Sequence, residues 1–392
     1  MMFDVVQLCD IDIDVIDGDR GKNYPHQDEL LEAGHCLFLS AKNVTQNGFL
    51  FGDNQFITQE KDALLNNGKL MRGDIVITTR GTVGNVAIYS YEVPYDNIRI
   101  NSGMLIIRCG DKIDNYYLYQ VLRSKWFYNQ ILSIQSGSAQ PQLPKSHFLK
   151  MTIPMPDMNT QHKIAGVLSS IGGKISVNTA INENLEQQAQ AIYAQMFIES
   201  AEESWKTESL SDIAVITMGQ SPKGDTFNET GEGAVFYQGR TDFGFRFPTR
   251  RLYTTEPKRI ALCGDALMSV RAPVGDLNVA YEDCCIGRGL AAIHSKDNHQ
   301  SFVLYTLFTL KKQLDVFNGE GTVFGSINKE SLNSMEITIP PRELMDRFES
   351  TVSPIDRAIR NNYEEICRLQ AIRDTLLPKL MSGEIDVSAV KI

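Results

Sequence analysis

The sequence contains an internal repeat, which restricts the fold to two similar halves. One series of residues recurs with the same internal spacing: Gly73-Asp74, Arg80 and Val83-Gly84 return as Gly264-Asp265, Arg271 and Val274-Gly275. Further along, identical residues lie 184 positions apart, among them Lys145 and Lys329, Met151 and Met335, Pro156 and Pro340. A repeat of this length predicts two copies of one structural unit.

Each copy ends in a stretch whose apolar residues alternate at spacings of four and three, the pattern of a helix that packs against another helix. Both stretches carry an asparagine at the same place, and a buried polar residue in such a seam commonly fixes register and orientation. The predicted seam residues are Ile175, Asn178, Leu185, Ile192, Ile359, Asn362, Leu369 and Leu376. Two ordinary amphipathic helices, each packed on its own domain, remain the alternative.

Glycine and proline set the predicted limits of these two helices. Gly172-Gly173 and Ser353-Pro354 occupy corresponding places, and serine followed by proline suits an N-cap and the first helical residue. The first helix is expected to end near Ile198, and Leu377-Pro378 is expected to stop the second. About 25 residues would form a rod of roughly 40 Å.

The segments before the helices are rich in glycine, aromatic and β-branched residues in short runs separated by turn residues, which is typical of compact mixed α/β (α+β) domains. The sequence therefore predicts four parts: a globular domain at 1–157, a helix at 158–200, a second globular domain at 201–340, and a helix with a tail at 341–392.

The composition favours a metal-free intracellular protein. The seven cysteines form no C-x-x-C pair, and the six histidines show no spacing suited to a metal ion. The first residues lack the zones of a signal peptide, and the longest apolar runs fall short of a membrane span. No nucleotide-binding or hydrolase motif is present. We therefore expect a cytoplasmic protein without catalytic residues, metal or membrane contact.

Charge gives two opposing indications about nucleic acid. The net charge of −10 argues against a free-standing DNA-binding protein. Between Phe236 and Arg259, however, six basic residues stand against two acidic ones, interleaved with aromatic residues. Arginine pairs with guanine or phosphate through two hydrogen bonds, so this segment suits DNA. A salt-bridged surface segment is the alternative.

The candidate DNA-binding residues come from both copies. They are Lys42, Asn43, Arg80 and Arg99 in the first copy, and Gln238, Arg240, Arg246, Arg250, Arg251, Arg271 and Arg288 in the second. The recurring arginines, Arg80 and Arg271, have a structural alternative, which is to clamp the recurring aspartates Asp74 and Asp265.

Several strings in both halves resemble the specificity subunit of Type I restriction-modification systems, and the resemblance covers essentially the full length. In the first half they are the segments 16–25 (IDGDRGKNYP), 80–85 (RGTVGN) and 100–104 (INSGM). In the second half they are 219–222 (GQSP), 237–240 (YQGR), 269–275 (SVRAPVG) and 285–289 (CIGRG). The closing string LLPKLMSGEI at 376–385 is the most specific.

The resemblance implies two target recognition domains, related by a pseudo-two-fold axis and joined by two helices that pack as an antiparallel coiled coil. Each domain would read one half of a split, asymmetric site in double-stranded DNA, and the helices would set the gap. The chain would bind no cofactor. Two methyltransferase subunits would supply S-adenosylmethionine chemistry, and restriction subunits, when present, would use ATP and Mg²⁺.

Two other functions stay open at this point. The chain could be the recognition module of a fused or stand-alone restriction enzyme, although it lacks methyltransferase and nuclease motifs. It could also be a coiled-coil interaction scaffold that binds protein rather than DNA. Affinity for DNA that falls with salt would separate recognition from scaffolding, because phosphate contacts weaken as salt rises.

Overall fold

The computed structural model describes residues 3–135, 142–319 and 325–390. The chain forms two compact units. Unit 1 comprises Met1–Val177 and Glu365–Ile392, and unit 2 comprises Asn178–Glu364. Each unit therefore contains one globular part and portions of both long helices.

Unit 1 combines short strands with short helices. Its strands are β1 (Val5–Gln7), β2 (Ile13–Asp17), β3 (Cys36–Leu39), β4 (Val44–Thr45), β5 (Gly48–Phe49), β6 (Phe56–Ile57), β7 (Ile75–Thr78), β8 (Val86–Ile88), β9 (Ile98–Ile100), β10 (Met104–Cys109) and β11 (Thr152–Pro154). Its short helices are α1 (Gln59–Leu64), α2 (Asn115–Leu122), α3 (Lys125–Gln135) and α4 (Lys145–Phe148). The long helix α5 (Met158–Ala194) begins in unit 1, enters unit 2 at Asn178 and continues as a wider π turn over Gln195–Glu199.

Unit 2 repeats this composition. Its strands are β12 (Lys206–Ser209), β13 (Ala214–Met218), β14 (Phe227–Asn228), β15 (Ala234–Tyr237), β16 (Leu252–Thr254), β17 (Ile260–Ala261), β18 (Ala266–Ser269), β19 (Leu277–Val279), β20 (Cys284–Ile286), β21 (Leu290–Ser295) and β22 (Glu336–Ile339). Its short helices are α6 (Leu210–Ile213), α7 (Gln300–Thr309), α8 (Lys311–Asp315) and α9 (Lys329–Asn333). The second long helix, α10 (Arg342–Ser382), begins in unit 2 and enters unit 1 at Glu365.

The sheets confirm the internal repeat. An antiparallel sheet in the order β2-β10-β7-β8 in unit 1 matches β13-β21-β18-β19 in unit 2. In a second sheet of each unit, two strands run parallel: β3 with β9, and β15 with β20. The first and last strands of each globular part also pair in both units, β1 with β11 in unit 1 and β12 with β22 in unit 2. The mixed α+β class and the two similar units agree with the sequence prediction.

Alternation along the strands explains why the four-stranded sheet is buried on both faces. In β7, Ile75 and Ile77 point into one hydrophobic cluster, which they share with residues of the long helices. Val76, between them, points into a second cluster formed with β3 and β9. In β18, Met268 and Leu267 divide in the same way between two clusters. Because strand side chains alternate between faces, each sheet joins two cores.

The long helices pair antiparallel within each unit. In unit 1, Lys163 donates to the carbonyl of Ser388, while Lys174 Nζ lies 3.8 Å from Glu365 Oε2. In unit 2, Asn362 Nδ2 donates to Asn182 Oδ1 over 2.9 Å. The predicted seam residues Ile175, Asn178, Leu185, Ile192, Ile359, Asn362, Leu369 and Leu376 are all buried or half-buried.

The first helix ends near Ile198 as predicted, with its π turn at Gln195–Glu199, but the predicted starts of both helices and the predicted stop of the second at Pro378 are wrong. Both helices begin earlier, at Met158 and Arg342, and α10 runs through Pro354 and Pro378 to Ser382. An interior proline costs about 3 kcal/mol because it removes a helical hydrogen bond. Residues on both sides of Pro354 pack into the core of unit 2, since Phe348, Val352 and Ile359 are all fully buried, and this packing keeps the helix continuous.

The segment Met158–Glu199 is long and apolar enough to cross a membrane by length and composition alone, a test that the core helices of soluble proteins also meet. In unit 2 its residues Ala189, Tyr193 and Phe197 are buried. The ring of Phe197 lies 5.2 Å from that of Phe348 and 5.1 Å from that of Phe302. This contact with the core accounts for the apolar character of the helix in unit 2.

A buried histidine connects α10 to the globular part of unit 2. His299 Nε2 lies 2.7 Å from Asp346 Oδ1, and its Nδ1 lies 3.0 Å from Asp297 Oδ1. Burial disfavours the imidazolium, but the hydrogen bonds and charges of the two aspartates outweigh burial and raise the pKa of His299. The protonated ring therefore stabilises the folded state. This stabilisation is complete below about pH 6.5, the unfolded value, and is lost as the pH rises through the folded pKa.

We therefore expect His299→Gln to be less stable than the wild type in mildly acidic solution, with a difference that shrinks as the pH rises. Denaturant unfolding at a series of pH values measures this difference. His147→Gln is the matched control, because His147 is exposed and should change stability little at any pH. A difference for His299→Gln that is the same at all pH values would contradict the assignment.

Candidate nucleic-acid interface

In unit 1 the loops that follow several strands meet at one edge of the sheets. The parallel strands β3 and β9 end side by side, and Asn101 N donates to Leu39 O over 3.0 Å. A Cβ on Gly18, directly after β2, would lie 2.1 Å from Asn101 O. Thr79 N, directly after β7, donates to Gly103 O over 2.7 Å. We call the loops 18–22, 40–43, 79–84 and 101–103 the strand-end face of unit 1.

Unit 2 has a strand-end face built in the same way from loops 219–223, 238–243, 270–275 and 287–289. A Cβ on Gly219 would lie 2.1 Å from Gly287 O, as one on Gly18 would from Asn101. Val270 N donates to Gly289 O over 2.9 Å, and Gly289 N to Gln238 O over 3.2 Å. The glycines are required because neighbouring backbones leave no room for a side chain. Each face therefore displays side chains from four loops on a tightly held backbone.

Arg80 and Arg271 lie on these faces and are exposed. The structural alternative, that they clamp Asp74 and Asp265, is wrong. Asp74 instead accepts two hydrogen bonds from Arg108, of 2.9 and 2.7 Å. Asp265 Oδ1 lies 2.6 Å from His294 Nδ1. In the described part of the chain neither recurring arginine has an ion pair or a side-chain hydrogen bond, so both guanidinium groups can contact a ligand.

Three predicted DNA-binding residues are buried and serve the fold. Asn43 is 3% exposed, and its side chain bonds with Ser40 and with the carbonyls of Leu50 and Asp53. Arg99 is 5% exposed and donates to Asp62 and to the carbonyls of Leu65 and Asn67. Arg246, also 5% exposed, is enclosed by Glu186, Asp356 and Tyr305. The expectation that these three side chains contact DNA is corrected, because their polar groups are occupied inside unit 1 or unit 2.

Three other predicted arginines are half-exposed and carry an internal partner. Arg240 pairs with Asp276. Arg250 Nε lies 2.5 Å from Glu282, and Arg251 Nε lies 2.8 Å from Asp242. The pairs of Arg240 and Arg250 are exposed and contribute at most about 1 kcal/mol each, so a phosphate group can compete for these two guanidinium groups. The partner of Arg251 is buried, since the Asp242 side chain is 4% exposed.

Lys42, Gln238 and Arg288 are exposed on the strand-end faces, as DNA-binding residues need to be. Three further exposed cations on these faces were not predicted from the sequence: Arg20, Lys22 and Lys223. Lys22 and Lys223 each lie four residues after the glycine that follows β2 or β13. This shared spacing could have indicated the two lysines from the sequence. It becomes recognisable only once the structure shows that Gly18 and Gly219 follow equivalent strands.

The loop that carries Lys22 is held by a buried carboxylate. Asp19 accepts hydrogen bonds from the backbone N–H groups of Gly21 and Asn66, both of 2.8 Å. These bonds, led by the one from Gly21, hold the pKa of Asp19 below its usual range against the opposing effect of burial. Asp19 is therefore ionised at neutral pH and serves as an anchor for the loop, whose exposed cations are Arg20 and Lys22.

Chemically, the strand-end faces offer guanidinium, ammonium and amide groups. Such groups bind phosphate and the edges of bases. Within residues 3–135, 142–319 and 325–390, no cluster of three or more histidine, cysteine or acidic side chains could hold a metal ion.

Known proteins are similar to this chain in sequence and in fold. The family model for the type I restriction modification DNA specificity domain matches residues 5–187 and again 202–366. A Methanocaldococcus jannaschii protein named as the MjaX type I restriction enzyme specificity subunit is 31% identical, over 81% of this chain and 80% of its own length. The MjaIX specificity subunit of the same organism is 25% identical, over 81% of this chain and 78% of its own.

A solved structure supports the fold. The S subunit of a Type-I restriction-modification system from M. genitalium superposes with a TM-score of 0.58 at 16% identity, covering 97% of this chain and 96% of that one. The chain is thus similar in sequence to type I restriction enzyme specificity subunits and similar in fold to the S subunit of such a system.

Proposed function

Because the chain belongs to the family of type I restriction-modification DNA specificity domains, we propose that its two units read the two halves of a split DNA site through their strand-end faces. The chain is a DNA sequence-specificity subunit. One observation carries the proposal: two faces of the same backbone construction display exposed arginines at corresponding positions, Arg80 and Arg271. Two such faces suit two half-sites, as in DNA-binding proteins that read a pair of half-sites.

The two half-sites should differ in sequence. Residues around the recurring arginines differ between the faces: Ser102 precedes Gly103 in unit 1, whereas Arg288 precedes Gly289 in unit 2. Different side chains present different donors and acceptors to the base edges. The recognised site is therefore asymmetric, with the first half read from within 1–157 and the second from within 201–340.

The remaining parts of the activity belong to partners. Two methyltransferase subunits dock on the helices at 158–200 and 341–392 and supply S-adenosylmethionine and adenine methylation. Restriction subunits, when present, supply ATP-driven cleavage with Mg²⁺. This chain supplies recognition in the cytoplasm, without a cofactor or a catalytic residue of its own. If the partners also grip the DNA backbone, the net charge of −10 is compatible with DNA binding, since the cations are concentrated locally.

A methylation map tests the function. The chain is expressed with its methyltransferase partner in a host free of DNA methylation, and every methylated adenine is located. We expect a single split, asymmetric motif that disappears when this chain is omitted. A soluble complex that methylates nothing would contradict the proposal. Methylation by the purified chain alone, with DNA, Mg²⁺ and S-adenosylmethionine, would show an enzyme instead.

A further inference from the structure

Arg80 lies at the tip of a tightly hydrogen-bonded turn between β7 and β8. Thr78 N donates to Asn85 O, and Gly84 N donates to Thr78 O, both over 2.9 Å. The Thr78 hydroxyl receives the N–H of Asn85 over 3.0 Å. Arg80 N lies 3.2 Å from Gly103 O on the neighbouring strand end. The backbone beneath Arg80 is thereby fixed on both sides.

Arg271 lies in the same turn of unit 2, between β18 and β19. Ser269 N donates to Asp276 O, and Gly275 N donates to Ser269 O, again both over 2.9 Å. The Ser269 hydroxyl receives the N–H of Asp276 over 2.9 Å. The next residue before Arg271, Val270, bonds to Gly289 on the neighbouring strand end. The two turns thus share these bonds, although only some of their residues are identical and the bond from Arg80 N to Gly103 O is specific to unit 1.

The segment that follows the turn also packs alike in both units. Leu143 N donates to Thr79 O, and Ile327 N donates to Val270 O, each over 3.0 Å. The fold therefore places the two arginines at the same point of the two strand-end faces. In the described ranges neither guanidinium has a hydrogen bond or an ion pair with the protein, whereas Arg240 is paired.

The surroundings of the two arginines differ. The turn after β3 presents Lys42, whereas the corresponding turn after β15 presents Arg240. The residue next to the shared glycine is Ser102 in unit 1 and Arg288 in unit 2. A base-reading role requires side chains that vary with the bases, and these positions vary. A role that is the same at both half-sites requires a residue that does not vary.

We propose, resting on the proposed function, that Arg80 and Arg271 make the same contact with DNA phosphate at the two half-sites and do not select bases. The sugar–phosphate backbone is the part of DNA that two different half-sites share. A phosphate contact fixes the register of each unit on the duplex, and base choice is left to residues that differ between the faces, Arg288 among them.

The test uses the full-length chain with its methyltransferase partner and a library of randomised duplex DNA, whose bound fragments are sequenced. We expect Arg80→Ala and Arg271→Ala to enrich the same motif as the wild type. Each should bind the selected duplex about three- to tenfold more weakly at 0.1 M salt, and should reduce the slope of log affinity against log salt by about 1. Arg271→Lys should stay close to the wild type, because an ammonium also binds phosphate.

Two variants make the result specific. Arg288→Ala is expected to change the bases enriched in one half-site only. Lys112→Ala removes an exposed cation of the turn after β10, outside the strand-end faces and the long helices, and should leave both motif and affinity unchanged. A change of enriched bases in Arg80→Ala or Arg271→Ala, or an unchanged salt slope in both, would overturn the inference while the proposed function stands. A wild type that enriches no motif would overturn the proposed function itself.

Discussion

Replacing Arg246 with methionine is expected to lower the free energy of unfolding by about 3–5 kcal/mol, because it leaves buried carboxylates without their positive partner. Arg246 Nη2 lies 3.0 Å from Glu186 Oε1 on α5 and 3.0 Å from the Tyr305 hydroxyl. Its Nη1 lies 3.5 Å from Asp356 Oδ1 on α10. One guanidinium thus ties the segment that precedes β16 to both long helices within unit 2.

The carboxylates of Glu186 and Asp356 determine how much stability is lost when Arg246 is replaced. Burial already raises the pKa of Glu186, and the charge of Arg246 opposes that rise. Without the arginine, Glu186 and Asp356 repel each other in a partly buried site, and the folded pKa of Glu186 should rise further. The loss of stability should therefore be full at neutral pH and should shrink as the pH falls through the raised pKa of Glu186.

Chemical denaturation of the full chain measures the effect, and Arg250→Ala is the matched control. Arg250 also pairs with a carboxylate, but its side chain is 49% exposed, so its loss should cost less than about 1 kcal/mol. Adding Glu186→Gln and Asp356→Asn to Arg246→Met should restore part of the stability by removing the repulsion. A loss for Arg246→Met no larger than for Arg250→Ala would refute the assignment.

Arg246 also shows why the candidate site was only partly predictable from the sequence. It stands among basic and aromatic residues as Arg250 and Arg251 do, and a local pattern cannot distinguish a cation that faces solvent from one that faces the core. Its partners Glu186 and Asp356 are far away in the chain. Arg99 was misjudged for the same reason, since Asp62 is its distant partner.

The repeat and the helix seam were predictable because they are periodic. Identical spacing around Arg80 and Arg271 predicted two similar units, and the fold has them. The pairing within the seam could not be predicted: the pattern placed Asn178 and Asn362 at corresponding positions without naming a partner, and Asn362 bonds to Asn182. The prediction that the second helix begins at Ser353-Pro354 was wrong because it used only the local preference of proline for helix starts. In the structure, core packing on both sides of Pro354 outweighs the loss of one helical hydrogen bond.

Lengthening both long helices by one heptad is expected to widen the unread gap of the DNA site by about three base pairs. Each helix passes between the units once, at Val177–Asn178 and at Glu364–Glu365. A second copy of 178–184 in α5 and of 358–364 in α10 repeats the seam layer in which Asn182 meets Ile359 and Asn362. Seven residues add about 10 Å of helix, against 3.4 Å for each base pair.

The measurement is the same enrichment or methylation map, with the two half-sites as internal controls. Both should keep their bases, because the strand-end faces are untouched, and only the gap should change. Affinity should fall, since three base pairs turn the DNA by about 100° whereas a heptad leaves the seam nearly in phase. Inserting the heptad in α5 alone leaves its added residues without a partner layer and should lower the unfolding midpoint. An unchanged gap would show that the helices do not set the spacing, and the loss of one half-site would show that they also hold that unit's recognition face in place.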